Sequence, residues 1–537
     1  MKTAFFFLLI FFTFSIAKSQ QINVNATRFV GSDTNCYVNT RFAISTEDKG
    51  VFFVGTTNCY SGGGNIPFNF PDTTGADQGN VFIGKLDSSL NLSWVKIYGG
   101  NRLDYGVSAV QTLDGGYAIL ATTESNDINV SGNHGFGVGD LWLVKIDRTG
   151  SLLWQKCYGS VYDEQAISIS LTPDSGFILL GVSNGVGGDV PTHYSGSQAD
   201  YDWFVVKTDS VGNKEWAKSI GGTGDENPYG SILSVGNSYY LVGSSNSTNY
   251  DCTDTSWHPG VYSGNDYYVF KLDAMGSILW DSSYGSIGGE EAYSAIWDNR
   301  SNSIVMTGVT TGNDYMVSGN HGQWDMWVIE TDSDGVLKWQ KCLGGIGIEQ
   351  GTGITSSEDG YLALGSSVPG SIGHQDAWLF ALDLYGNLLT DKQFGGLQYE
   401  DPSSIISFKK GYLSIGTSNS QGFTEGLNLG FLPNPTDASF FTYTDYRPLL
   451  ATQIAKNDKL LILYPNPTNE FVRITVPDIE AADLCILNNL GQSIFSTTLR
   501  QKESYLDIDT MKWSSGVYIV KWLGENGTVL TTRFVKN

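Results

Sequence analysis

The chain has 537 residues, 55 acidic against 31 basic side chains, 65 glycines and 13% aromatic residues. A formal charge of −24 excludes a nucleic-acid binder that works by neutralising phosphate, and 41% hydrophobic with only 16% charged residues excludes a disordered chain. Glycine well above its usual share of about 7%, with many aromatics, points to an all-β protein rich in tight turns.

The first element is a leader. Lys2 precedes an apolar run from Ala4 to Ala17, and Ala17-Lys18-Ser19 is a small-x-small cleavage site. Residues 1–19 therefore read as a secretory signal peptide. No other stretch approaches the roughly 20 apolar residues of a membrane span, so the expected product is exported, without a transmembrane segment. Six cysteines are too sparse for a disulfide scaffold. Cys36 with Cys59 is the one pairing considered, and the others read as small buried apolar residues.

From residue 80 a unit of about sixty residues repeats. The pattern Asp-x-Trp, Asp-x-x-Gly, Trp and Tyr-Gly-Gly appears as Asp140, Trp142, Asp147, Gly150, Trp154 and Tyr158-Gly159. It recurs from Asp202, Asp266, Asp325 and Asp376, with an earlier copy from Asn80. The Asp-to-Asp and Asp-to-Trp spacings are constant in every copy. A second half, such as Thr112-Leu-Asp114-Gly115-Gly116-Tyr117, reads as a hairpin with an Asp-Gly turn. Each unit predicts four short strands, and four-stranded sheets repeated along a chain predict a β-propeller.

The hairpin half occurs seven times, which predicts seven blades. The last copy of the Asp-x-Trp half degenerates to Ala438–Asp445. Residues Ile22 to Gly31 resemble the strand it lacks, so this N-terminal strand is expected to complete the last blade, with residues 447–456 as competitor. The Asp-x-x-Gly-x-x-x-Trp element also resembles the tryptophan motif of pyrroloquinoline-quinone-like propellers. That resemblance implies a blade-docking role for these residues and does not carry over the cofactor.

The loops before each Asp-x-Trp strand vary in length and start at equivalent places, so they share one face of the ring, where binding is expected. All five histidines lie in them: His134, His193, His258, His321 and His374. A structural hydrogen bond, duplicated with the loop, outweighs metal ligation, because ligation needs a converged cluster. Trp257 beside His258 and Trp324 near His321 are candidate ligand-binding residues, able to stack on sugars or anchor a protein. Asp127, Asn129, Ser131 and Asn133 have the alternating oxygens of a Ca²⁺ loop, making Ca²⁺ the one cofactor candidate. The missing twelfth-position Glu favours an ordinary Asx-rich turn.

After Asp445 the repeat stops. A linker at about 446–459 separates the propeller, residues 20–455, from a C-terminal unit over 456–537. Short alternating strands there predict a small Ig-like β-sandwich. Tyr464-Pro465-Asn466-Pro467, the turn at Asn489-Leu490-Gly491, Ser515-Gly516-Val517-Tyr518 and the basic-hydrophobic terminus Arg533 to Lys536 stand in order. This segment resembles the type A C-terminal sorting domain of the type IX (Por) secretion system. The resemblance implies recognition by the type IX translocon at the outer membrane, then release or surface attachment. The last 78 residues are nearly neutral, which leaves 47 acidic against 22 basic side chains in residues 21–459. No catalytic motif stands out. The functional expectation is a secreted or cell-surface propeller that binds glycan or protein ligands through its variable loops. The competing expectation is an extracellular polysaccharide-active enzyme with carboxylates in the funnel.

Overall fold

The computed structural model describes residues 21–32, 36–59, 63–67, 79–254, 264–368, 375–420, 423, 427–430 and 438–447. Towards the C-terminus it describes 462–464, 468, 471–475, 482–488, 492–499, 505–524 and 529–536. The expected signal peptide and linker lie outside the described residues. The chain divides into two compact units, 1–448 and 449–537. Among the described residues all regular structure is strand, and no helix is long and apolar enough to cross a membrane.

The first unit holds seven sheets among its described residues, six antiparallel and one with a parallel edge pair. The second sheet is typical, with strands Asp104–Gln111, Tyr117–Thr123, Asp140–Ile146 and Leu152–Tyr158 paired in chain order. The innermost strands of the seven begin at Val38, Asp104, Glu164, Ser231, Glu290, Ile348 and Glu400, and each touches the next in a closed cycle. The arrangement is propeller-like. The seventh sheet has five strands, and Gln21–Val30 runs antiparallel to Ala438–Arg447 in it, with Phe29 opposite Phe440. The first and last described strands of this unit thus meet in one sheet.

The two middle strands of a sheet are buried on both faces, which is why they read as unbroken apolar runs. Side chains alternate between the two neighbouring sheets. Trp142 and Val144 pack with Phe52 and Val54 of the first sheet, while Leu141 and Leu143 pack with Phe177 and Leu179 of the third.

The outer strands carry the docking contact. Asp209 Oδ1 accepts the amides of Val211 and Asn213 at 2.9 and 2.8 Å, which fixes the turn. Gly212 then takes φ +79°, and a methyl group built on it would lie 2.7 Å from Cζ3 of Trp154 in the preceding sheet. Tyr158 donates its hydroxyl to the Gly212 carbonyl at 2.6 Å. Tryptophan and tyrosine of one sheet therefore clamp the bare turn of the next. The same tryptophan contact recurs at Gly150, Gly276, Gly335 and Gly386. At the closing seam Ala26 stands in the tryptophan's place, opposite Tyr443. There Leu90 replaces the glycine, at φ +62°, and packs its side chain with Phe408 and Phe441.

Each inner strand is an edge, and neighbouring serines satisfy its free amides. Ser108, Ser168 and Ser231 accept the amides of Ile169, Ile232 and Ala295 from the following sheet. Cys36 and Cys59 form a disulfide that ties the start of the first sheet to the loop after its second strand.

The second unit has a three-stranded sheet, Ile462–Tyr464, Phe471–Thr475 and Tyr505–Asp509. A four-stranded sheet combines Ser493–Leu499, Ala482–Leu487, Gly516–Gly524 and Val529–Lys536. Val472, Ile474 and Ile508 of the first share a core with Leu484, Val520, Trp522 and Phe534 of the second.

Gly212→Ala adds both a left-handed strain and a clash with Trp154. It is expected to lower stability by about 1–3 kcal/mol, measured by urea unfolding of the full chain.

Candidate functional site

The register places the site. Glu164 pairs with Ser183, and Ser183 with Asp202. The start of an inner strand, the end of the second and the start of the third therefore lie at one edge of each sheet. The variable loops and the mouth of the central cavity share that face.

Between sheets at this face sit a glycine and two facing side chains, both acidic in five seams and an asparagine with an aspartate in the sixth. The third strands open with Asn80, Asp140, Asp202, Asp266, Asp325 and Asp376, and the facing sheets supply Asp104, Glu164, Glu226, Glu290, Glu349 and Glu400. A methyl group on Gly221 would lie 2.3 Å from Glu226 Oε2 and 2.5 Å from Asp202 Oδ1, so only glycine fits. Hydroxyls donate to the far side of the glutamates: Ser183 to Glu164 at 2.7 Å, Ser245 to Glu226 at 2.6 Å and Thr310 to Glu290 at 2.7 Å. Burial pushes Asp104 and Glu164 up to about 7 and Asp140 up to about 6.

The described loop histidines meet the same acids. Nδ1 of His134, His193 and His321 lies 2.6, 2.8 and 2.6 Å from Oδ2 of Asp140, Asp202 and Asp325. Each histidine thus pins its variable loop to the scaffold. Trp324 precedes Asp325 and is half-exposed, with its carbonyl accepting the Glu349 amide at 2.9 Å. Trp257, His258 and His374 lie outside the described residues.

The four calcium-loop candidates each hydrogen-bond elsewhere. Asp127 accepts from the Asn101 amide and side chain, and Asn129 Oδ1 from the Gly99 amide. Ser131 Oγ accepts from Gln155, and Asn133 Oδ1 from the Gly135 amide. Among the described residues no group of three or more His, Cys, Asp and Glu is placed to hold a metal ion.

Every inner strand but one carries a bulge, as between Ala166 and Ser168, in five of them three residues after the acid and in the first sheet three after Val38. The extra residue is aimed at the central cavity of about 490 Å³, where the lining includes Arg41, Tyr229, Tyr293, Gln350 and Asp401. Tyr229 and Tyr293 meet edge to face at 5.2 Å, and Tyr293 donates to Glu291 at 2.7 Å. Arg41 and Asp401 are exposed there, the latter accepting from Gln375 at 3.2 Å. Sequence reasoning passed over this ring. The signal was available as a residue that varies freely at a fixed distance from a constant acid.

Around the mouth the face is apolar. Val161, Ile287, Ile346 and Leu397 occupy equivalent connections between sheets, and Ile346 and Leu397 are 79% and 78% exposed. Outside them lie the exposed loop tips Ile128, Tyr250 and Tyr315, each in the left-handed region at φ +56°, +57° and +50°. A β-branched or aromatic residue is strained there. Phe136, fully presented to solvent, stacks under Arg102 at 4.2 Å.

In the second unit Tyr518 is buried, stacks on Phe534 at 5.4 Å and donates to the Ser514 carbonyl at 2.7 Å. Lys536 is buried in the edge strand, bridged to Thr468. Gly516 opens the strand that pairs with it, and Arg533 lies opposite Ile519. Tyr464 closes the short first strand, opposite Arg473. Pro465, Asn466, Pro467 and Gly491 lie outside the described residues.

Residues 462–537 match one family along almost all of this unit. They are a secretion system C-terminal sorting domain. The domain marks the protein for type IX secretion to the cell surface or the extracellular space. No curated protein matches the chain. Among solved structures, the chain is similar to the β-propeller domain of the Trilobed protease from Pyrococcus furiosus (10% identity, 80% of this chain, 100% of that chain, TM-score 0.38). It is also similar to Sqt1 from Chaetomium thermophilum (11% identity, 80% and 100%, TM-score 0.38). A third is a protein of unknown function from Bacteroides caccae (9% identity, 58% and 89%, TM-score 0.34).

Deleting residues 462–537 is expected to stop export, with the protein retained inside the cell envelope on fractionation. Ile128→Gly removes the left-handed strain while restoring chain entropy, and stability is expected to stay within about 1 kcal/mol of the parent, read by denaturant unfolding.

Proposed function

We propose that residues 20–455 form a seven-bladed β-propeller, closed by the strand at 21–30, that binds a protein ligand through its variable-loop face. In this reading residues 1–19 are the signal peptide, and the C-terminal unit is an Ig-like β-sandwich read by the type IX translocon.

One observation supports the binding reading: exposed apolar side chains recur at equivalent positions on that face. Val161, Ile287, Ile346 and Leu397 ring the mouth, with Ile128, Tyr250 and Tyr315 beyond them. Patches of this kind mark interaction sites. The aliphatic side chains at the sheet connections favour a protein over a glycan. Tyr229 and Tyr293 at the mouth supply the aromatic anchor that protein interfaces concentrate. The surrounding acidity, 47 acidic against 22 basic residues in 21–459, favours a partner with a basic rim.

Asp401 is the one carboxylate among the residues lining the cavity, and the paired acids are buried in the seams.

The test screens the mature chain against arrayed surface and secreted proteins of the producing cell, with a glycan array in parallel. Ile346→Asp with Leu397→Asp is expected to weaken protein binding about tenfold or more, equivalent to about 1.4 kcal/mol, at unchanged melting temperature. Binding to glycans alone, unaffected by the double variant, or turnover of a polysaccharide would overturn the reading.

A further inference from the structure

The mouth of the central cavity is divided into two chemically distinct arcs. The inner strands of the seven sheets follow one another around the ring, so residues at equivalent positions in them stand side by side. At the position three residues after the opening one, the second to fifth sheets bring Val107, Ile167, Tyr229 and Tyr293 to the cavity. The sixth, seventh and first bring Thr352, Ser403 and Arg41. Four apolar or aromatic side chains thus form one continuous arc. Two hydroxyls and a guanidinium form the other.

The apolar arc is held in place. Tyr229 and Tyr293 meet edge to face at 5.2 Å, and Tyr293 donates its hydroxyl to Glu291 at 2.7 Å. Val107 is buried in the core between the second and third sheets, while Tyr229 is 43% exposed to the cavity and solvent. Aromatic rings positioned in this way offer contact area at a low cost in side-chain entropy.

The first and second sheets are neighbours, so Arg41 stands beside the end of the apolar arc. Arg41 is exposed. Among the described residues the arginine–carboxylate ion pairs are those of Arg300 with Asp298 and Arg473 with Asp507, so Arg41 reaches the mouth without one. The acids one step outward are engaged elsewhere: Asp401 accepts from Gln375 at 3.2 Å, and Glu291 from Tyr293. Asn39 and Gln350, two residues before Arg41 and Thr352, add their amides to the lining.

A guanidinium presents paired N–H donors that match both oxygens of a carboxylate. A ligand complementary to both arcs therefore carries a carboxylate and an apolar group close together. The last residue of a polypeptide has that form, with side chain and α-carboxylate on one carbon. The amides of Asn39 and Gln350 suit the peptide groups that would lead back out. A cavity of about 490 Å³ is of the size that encloses a small ligand, and so suits the end of one chain better than a folded surface.

We propose that the cavity mouth captures the free C-terminus of a polypeptide that ends in an apolar residue, with the carboxylate on Arg41 and the terminal side chain against Val107, Ile167, Tyr229 and Tyr293. This rests on the reading that the loop face binds a protein, and it names the part of the partner that enters the ring. The contact is separate from the aliphatic rim at Ile346 and Leu397.

The test titrates the mature full-length chain with the tetrapeptide Gly-Gly-Ala-Phe by calorimetry, as the free acid and as the C-terminal amide. The free acid is expected to bind at one site, and amidation to weaken binding about tenfold or more. Arg41→Gln should bring the acid down to the level of the amide at unchanged melting temperature, and Arg41→Lys should keep part of the difference. Tyr293→Ala should weaken both forms. N-acetylphenylalanine, which lacks the leading chain, should bind more weakly than the tetrapeptide. Ile346→Asp with Leu397→Asp should leave the peptide titration unchanged, so the mouth and the rim are read separately. No saturable binding of the free acid, equal affinity for acid and amide, an Arg41→Gln chain that still prefers the acid, or N-acetylphenylalanine bound as tightly as the tetrapeptide would overturn the proposal. A protein partner that binds through the rim equally well after its C-terminal residues are removed would overturn it too, and would leave the binding face standing.

Discussion

Seven sheets joined only by short connections need a contact that holds one sheet to the next, and here it is an aromatic clamp on a bare turn. Trp154 lies against Gly212, and Tyr158 donates to the carbonyl of the same residue. The contact works because Gly212 has no side chain and tolerates φ +79°. The Asp209 carboxylate earlier in the turn holds the backbone in that shape. Aspartate, glycine, tryptophan and tyrosine are therefore one device spread over two neighbouring sheets. The closing seam tests this account. Where the tryptophan is absent, at Ala26, the glycine is absent too, and Leu90 fills the space with its own side chain.

The opposite face uses a different chemistry. Acids from adjacent sheets meet over Gly221 and its counterparts, with hydroxyls donating to the glutamates and histidines to the far oxygen of the aspartates. Polar groups buried this deeply are costly unless each is satisfied. The aspartate that opens the third strand also receives the histidine of the preceding loop. Scaffold and loop are thus joined at one atom group, and loops of very different length enter the third strand in the same way.

Freed from holding the ring, the remaining positions on this face vary. The bulge residue changes from Arg41 to Ile167 to Tyr293, and the sheet connections carry Val161, Ile287, Ile346 and Leu397. Exposed aliphatics and strained loop tips cost stability in isolation. Their recurrence at equivalent positions on this face is the feature on which the proposed binding role rests.

Much of the ring was legible from the chain alone, because its docking contact uses residue types that are rare in combination and fall at fixed spacing. The period, the four strands per unit, the hairpin turns and the N-terminal strand as partner of Ala438–Arg447 follow from that spacing. So does the sorting domain, from its ordered motifs. The histidines were visible as a periodic set, but their partner was not, since His134, His193 and His321 precede their aspartates by 6, 9 and 4 residues and no fixed spacing marks the pair. Tertiary structure alone decided that Asp202 faces Glu226 across Gly221, and that Arg41, Tyr229 and Tyr293 share one mouth. These residues are far apart in sequence and similar to the turn acids and core aromatics around them. Only closure of the ring, which sets each sheet's edge against the next, gives them their neighbours.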